Sequence, residues 1–382
     1  MITLVPPDFA PPPAWLDAPG GFLWWYVDLR DDRGQGAVLI WSFGLPFLPG
    51  VVSADRDGRP LAPRQRPSLN VVLYRDGVPD FYLLRTFAPN EASWTPEDDT
   101  GTESWTFGET VLTRRRTSPG HRRVEIALDV DVPVSRERLQ GTLVIEGPEA
   151  RYAKDSPVHA PQTREAAARS HHWSPLIPAG RGIGTLRRTL DGAQAAPPLT
   201  LDADAYHDRN ASPVGLHRLG IDHWIWGRAR VGEGTRVHYL VYPEDPDAAP
   251  ILLGLDLAPD GHVRLADGLE APLGAGRRTF YGMRWWPEVE IRQHGAPWLT
   301  VRHRERVDDG FFYLRFGTEV VAGDGTRGEG WGELVRPARI DLLRHRPLVR
   351  MAVHEGAGGN SLWLPLFSGP REGRVRRLLL RR

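Results

Sequence analysis

The 382-residue chain contains no cysteine, which removes disulfides, thiolate nucleophiles and cysteine-ligated metals together. That absence fits a reducing compartment, and a cytoplasmic protein is the expectation. No stretch approaches the roughly 18 apolar residues that a membrane-spanning helix needs. The first twenty residues are proline-rich and lack a basic region followed by an apolar run, so no secretory signal is read there. Peripheral contact with a membrane stays open. An excess of one charge is missing too, with 48 Lys plus Arg against 48 Asp plus Glu. Basic residues are scattered apart from a short tail, Arg371 to Arg382, so nucleic acid is not an expected partner.

Several catalytic signatures are also missing. There is no Gly-x-Ser-x-Gly elbow, no P-loop, no His-Glu-x-x-His, and no Gly-x-Gly-x-x-Gly between a strand and a helix. Gly180-Arg181-Gly182-Ile183-Gly184 is a glycine-rich turn rather than a phosphate cradle. The thirteen histidines are mostly isolated, with no His-x-His pair followed by Glu. Neither a metal nor a cofactor is expected.

What is present is a globular composition, 41% hydrophobic and 25% charged, with 41 glycines and 35 prolines. That balance builds a core but breaks long helices. Short β-rich runs recur between turn signals, the pattern of an all-β sandwich or barrel. Ala37–Phe43, Leu69–Tyr74 and Phe81–Thr86 are examples, the last two joined across Asp76-Gly77. Arg123–Val130 alternates apolar Val124, Ile126, Leu128 and Val130 with a mostly polar face. Leu143–Glu146, Arg236–Tyr242, Ile251–Leu257 and Phe311–Phe316 read the same way, and Thr163–Arg169 is the one helical stretch. Glu244–Pro250 is acidic and proline-containing, a plausible linker. The expected division is therefore 1–246, carrying the site, and 247–382.

Fourteen tryptophans exceed what a core needs and point to a pocket walled with aromatics, suited to a lipophilic small molecule. Two segments concentrate chemistry: Ser170-His171-His172-Trp173-Ser174-Pro175, and Asp204-Ala205-Tyr206-His207-Asp208-Arg209-Asn210. In a strand, Tyr206, Asp208 and Asn210 share a face, while His207 and Arg209 take the other. A carboxyl flanked by a phenol and a carboxamide on an inward face is a candidate proton donor. The same residues also fit a polar turn cap. Trp224 and Trp226 share a face as well.

The segment Gly20-Gly21-Phe22-Leu23-Trp24-Trp25-Tyr26-Val27-Asp28 resembles the amino-terminal signature of the carotenoid 1,2-hydratases. Leu69–Tyr74, His171–Pro178, Tyr206–Asn210 and Ser361–Gly369 follow in that family's order. The family is similar to AttH-like proteins and some fungal pericyclases, which implies two lipocalin-like antiparallel β-barrels in tandem. Departures include Ala205 in place of the usual Gly, Ala211–Val214 in place of an acidic stretch, and a loop at Phe87–Thr106 without counterpart.

The resemblance implies a cofactor-independent hydro-lyase that adds water to the terminal 1,2 double bond of an acyclic carotenoid or similar isoprenoid. Its site residues carry over as His171 with Trp173 and Tyr206 with Asp208. Trp24, Trp25, Trp224, Trp226 and Asn210 are expected to line the substrate. Asp208 would protonate the alkene, which requires burial to lift it to near neutrality, roughly 4 kcal/mol of differential stabilisation. Trp173 and Tyr206 would face the developing cation, and His171 would take the proton of the attacking water. The competing readings are a pericyclase or isomerase, a carrier that binds an isoprenoid unchanged, and a carbohydrate-binding module.

Overall fold

The computed structural model describes residues 2–132, 136–159, 163–342, 353–355 and 359–360. The motif Ser361–Gly369 and the basic tail lie outside the described residues. Strand accounts for 59% of the chain and helix for 9%, so the all-β reading holds. The helix expected at 163–169 is short, Arg164–Ala168, started by Thr163, whose hydroxyl accepts from the Ala166 amide. A second short helix, Val51–Arg56, was not foreseen from the sequence.

Strands of the first sheet run in the order Gly359–Asn360, Val353–Glu355, Val78–Thr86, Pro67–Arg75, Gly36–Phe43, Phe22–Arg30, Leu199–Ser212, His171–Leu190, Glu137–Pro148, His121–Val132, Thr110–Ser118, Thr102–Phe107 and Ala92–Thr95. We label four strands at its centre and in the second sheet: β1 (Phe22–Arg30), β2 (His171–Leu190), β3 (Leu199–Ser212) and β4 (Ile221–Val231). These long strands pair antiparallel, whereas the short Ile2–Leu4 runs parallel to His171–Trp173. The Asp76-Gly77 turn has φ of +50° and +74°, the conformation a tight two-residue hairpin demands. One face of nearly every long strand meets in a single apolar cluster, including Trp25, Trp41, Leu73, Trp105, Ile126, Leu143 and Leu201. A sheet whose strands share one core has curled upon itself, the lipocalin-like arrangement.

The second sheet places β4 between β5 (Gly234–Pro243) and β7 (Arg327–Val335), with β6 (Tyr313–Ala322) beyond β7 and the short Arg151–Tyr152 at the edge on the far side of β5. It too closes on a core of its own, with Ile225, Leu240, Ile291, Val301, Phe316 and Leu334. The long strands change sheet between Ser212 and Ile221, ahead of the division expected after residue 246, while the short Arg151–Tyr152 already belongs to the second sheet and Val353–Glu355 and Gly359–Asn360 return to the first. Glu244–Pro250 instead joins β5 to Ile251–Leu257, two antiparallel neighbours in one sheet. The proline there marks a turn between strands. The Phe87–Thr106 stretch contains the strand Ala92–Thr95 and most of Thr102–Phe107, which pair antiparallel, and Trp105 packs against Trp25 with centroids 4.4 Å apart.

A third cluster lies between the two sheets. Trp24, Tyr26, Val72, Trp173 and Tyr206 from the first meet Trp224, Trp226, Val237, Tyr239 and Trp331 from the second. Polar anchors lock this contact. Arg228 of β4 donates from Nε to both Asp28 oxygens, at 2.9 and 3.1 Å, and both residues are buried. Arg315 Nη2 reaches the Tyr26 hydroxyl at 2.6 Å, and Arg30 Nη1 reaches the Gly330 carbonyl at 2.7 Å. Removing one partner of a buried ion pair costs about 3–5 kcal/mol, so the Asp28–Arg228 bond holds the sheets in fixed relation.

Candidate active site

β2 and β3 are antiparallel neighbours, with Trp173 opposite Asn210 and Pro175 opposite Asp208. Alternation puts His171 and Trp173 on one face of β2, and Tyr206, Asp208 and Asn210 on the same face of β3. Proline at 175 and 178 interrupts the ladder, and the register shifts around Ile177, as irregular strands do beside functional sites. The face these residues share looks out of the first sheet's core toward the second sheet. The inward face expected from sequence is therefore inward to the molecule but outward from its own sheet. His207 and Arg209 take the opposite side, where His207 bonds the Tyr26 carbonyl and Arg209 lies near Glu103 and Arg114.

Asp208 is the hub. Its Oδ2 accepts from Trp173 Nε1 and from the Tyr206 hydroxyl, each at 2.8 Å, and its Oδ1 accepts from Asn210 Nδ2 at 2.8 Å. The residue is 4% exposed. Burial pushes its carboxyl up to about 7, against the opposing pull of the Trp173 and Tyr206 donors. Asn210 spends its amide nitrogen on Asp208, so its Oδ1 is an acceptor and His171 Nε2 donates to it at 2.8 Å. His171 therefore carries its lone pair on Nδ1, which has no hydrogen-bond partner among the described residues. Burial drives this imidazole down to about 3, leaving it neutral.

Asp208, Asn210 and Trp173 border a cavity of about 190 Å³ between the sheets. Trp24, Trp173, Asp208 and Asn210 line it from the first sheet, and Trp224, Trp226, Tyr239, Tyr313, Arg315 and Glu333 line it from the second. Of the residues expected from sequence, six reach the wall: Trp173, Asp208, Asn210, Trp24, Trp224 and Trp226. Tyr206 and His171 do not line it; they stand behind Asp208 and Asn210 and act on the cavity through them. Trp25 is absent from the site. It points into the first sheet's core against Phe43, Trp94 and Trp105, because adjacent residues of a strand face opposite ways.

Sequence reading missed the second-sheet wall. Glu333 on β7 lies opposite Arg315 on β6 and Trp226 on β4, and accepts a hydrogen bond from Trp224 Nε1 at 3.2 Å. Burial raises its carboxyl, while Arg315, Trp224 and Tyr313 pull the other way. The only signal available was alternation: Tyr313, Arg315, Glu333 and Trp331 are odd-numbered positions on two adjacent strands. Nothing in that pattern says the two sheets meet there. Among the described residues, no group of three or more His, Asp and Glu side chains comes together as a metal would require.

No family model matches the chain. A hydroxyneurosporene dehydrogenase of Chlorobaculum tepidum is 24% identical over 345 residues, covering 86% of this chain and 86% of that protein. An acyclic carotenoid 1,2-hydratase of Thiocapsa roseopersicina is 27% identical over 236 residues, 62% of this chain and 51% of that protein. The chain thus matches about half the length of that hydratase. Among solved structures, an AttH protein of Nitrosomonas europaea superposes with a TM-score of 0.55 at 16% identity, covering 89% of this chain and 100% of that one. The resemblance to carotenoid 1,2-hydratases and the AttH-like fold, read from the motifs, is borne out.

Proposed function

We propose that the protein is a hydro-lyase that adds water to the terminal double bond of an acyclic carotenoid or similar isoprenoid, with Asp208 as the proton donor. The observation that carries this reading is a carboxyl lifted to about 7 by burial in an aromatic cavity. Protonating an unactivated alkene gives a tertiary cation, so the donor must hold its proton near neutral pH and release it into an apolar site. Oδ2 of Asp208 already accepts two hydrogen bonds and Oδ1 only one, which leaves Oδ1 to carry and deliver the proton. The three donors then stabilise the carboxylate left behind. Trp173, Trp24 and Tyr239 line the same cavity as the acid, and an indole face stabilises nearby positive charge by up to about 2 kcal/mol when desolvated.

His171 does not suit the role of base. It stands behind Asn210 and, at about 3, holds a proton too weakly. Glu333 suits it better, because Arg315 favours its charged form, whereas the strongest influences on Asp208 are burial, the Trp173 and Tyr206 donors and two neighbouring carboxylates. Two carboxyls with opposed surroundings divide into acid and base. Asp208 gives its proton to the terminal CH carbon, water oxygen bonds to the tertiary cation, and the excess proton of that water passes to Glu333. Solvent exchange returns both groups to their starting states. The site is thereby shared between the two sheets, and lipophilic substrate is the expected partner.

Incubating the purified protein with lycopene and neurosporene, followed by mass analysis, tests the reading. Gain of one water supports it. Loss of two hydrogens would favour the chemistry named for the Chlorobaculum relative, isomerised product a pericyclase or isomerase, and bound but unchanged polyene a carrier; each of these overturns it.

A further inference from the structure

Phe280 is 95% exposed, far more than any other large apolar residue among those described; Ile183 and Leu190 follow at 50% and 41%. It sits at the tip of a two-stranded hairpin, Arg277–Arg278 paired with Arg284–Trp285, that forms a sheet of its own. The tip is stiff. The Thr279 amide donates to the Met283 carbonyl at 2.8 Å, the Met283 amide donates to Thr279 Oγ1 at 3.1 Å, and Gly282 takes a φ of +75°. Arg339 Nη2 fastens the hairpin to the body through the Tyr281 carbonyl at 2.7 Å.

Two further observations say what such a tip meets. From Ala271 to Pro287 there are three arginines, all exposed, and no acidic residue, in a chain whose net charge is zero. The hairpin also leads to the cavity: Phe280 contacts Tyr281 at 5.3 Å between ring centroids, and Tyr281 contacts Phe311, a cavity-lining residue, at 4.3 Å. Next to Phe311, half-buried Phe312 stacks on half-buried Phe47 at the cavity's rim.

We propose that the Arg277–Trp285 hairpin is a docking finger that seats the cavity rim on an anionic lipid bilayer, so that an isoprenoid passes from the acyl chains into the site without crossing water. The inference rests on the proposed lipophilic substrate for its purpose, though not for its test. An apolar ring that projects into water gains by entering the interface, and arginines beside it are drawn to anionic headgroups. The finger is already formed, so docking orders no loop.

The test is co-sedimentation of the full chain with vesicles of phosphatidylcholine, alone or mixed with phosphatidylglycerol. Wild type is expected to bind the mixed vesicles, to bind phosphatidylcholine weakly, and to be released by high salt. Phe280→Ala should lower partitioning about tenfold, and Arg277→Gln and Arg278→Gln about fivefold each, with unfolding temperatures unchanged. Turnover of detergent-dispersed polyene should be unaffected in all three, while turnover of vesicle-borne polyene falls with binding. If no substrate is ever turned over, the sedimentation arms still decide the question. Wild type that stays in the supernatant at low salt, or Phe280→Ala that binds as wild type does, overturns the proposal. So does a wild-type dimer that Phe280→Ala converts to monomer in sedimentation velocity without any vesicle binding, which would give the finger to a second copy of the chain.

Discussion

Trp173 donates its indole Nε1 hydrogen to Asp208 Oδ2 at 2.8 Å across the pairing of β2 with β3. This bond does two things at once. It holds the indole in the cavity wall beside the acid, and it favours the carboxylate that remains once the proton has left. Burial nevertheless prevails, and Asp208 titrates at about 7 rather than near 3.8.

A raised carboxyl makes a signed statement about pH. Between about 4 and about 7 the folded chain holds a proton on Asp208 that the unfolded chain has lost, so this group's contribution to stability falls as pH rises through that window. Asp208→Asn removes the dependence. Its stability relative to wild type, from urea unfolding at stepped pH, should improve from pH 4 to 7 by on the order of 4 kcal/mol and then level. Hydration by the wild type should fall above about pH 7, and the Asn variant should bind polyene without turnover. A stability difference that stays flat with pH would remove the acid assignment.

His171 acts one step back, by fixing which way Asn210 points. Losing it frees the amide to turn its oxygen toward Asp208, an acceptor that favours the protonated acid. His171→Ala should therefore move the alkaline limb of the pH–rate profile upward and lower kcat by roughly ten- to a hundredfold. His171→Gln keeps an N–H donor and should restore the limb. Equal profiles in all three proteins would reduce His171 to packing.

Much of this was legible in the sequence because strands alternate. The run Tyr206, Asp208, Asn210 could be put on one face from spacing alone, as could Trp224 with Trp226, and burial of so many aromatics implied a cavity. Which face met which was not legible. That depends on contacts between residues such as Asp28 and Arg228, 200 positions apart, and no local pattern encodes them. The Glu244–Pro250 stretch misled for a related reason: proline and acid punctuate a strand-to-strand turn as readily as a linker.

Trp24 and Trp25 make the same point as a pair of variants. Trp24 lines the cavity and contacts the His171 ring at 5.4 Å, whereas Trp25 is wholly buried in the first sheet's core. Trp25→Phe should lower stability by on the order of 1–3 kcal/mol and leave KM alone. Trp24→Phe should raise KM severalfold with less change in unfolding temperature. The reverse pattern in a thermal melt and a saturation curve would show the faces to be exchanged.

Glu333 offers the sharpest separation of roles, because it lies on the second sheet and owes nothing to the β2–β3 motif. Glu333→Gln keeps the volume and an oxygen to accept from Trp224 Nε1, so the cavity and KM should be little changed. If the carboxylate takes the proton of the attacking water, kcat should fall by about 10²- to 10⁴-fold. The acid limb of the profile, set by Glu333 above its ordinary range, should vanish. Loss of its negative charge should also ease ionisation of Asp208, since Glu333 is one of the charges that raise it. The remaining alkaline limb is thus expected below about pH 7. Wild-type kcat with both limbs in place would leave the water's proton to another acceptor and return Glu333 to a partner of Arg315 in the contact between the sheets.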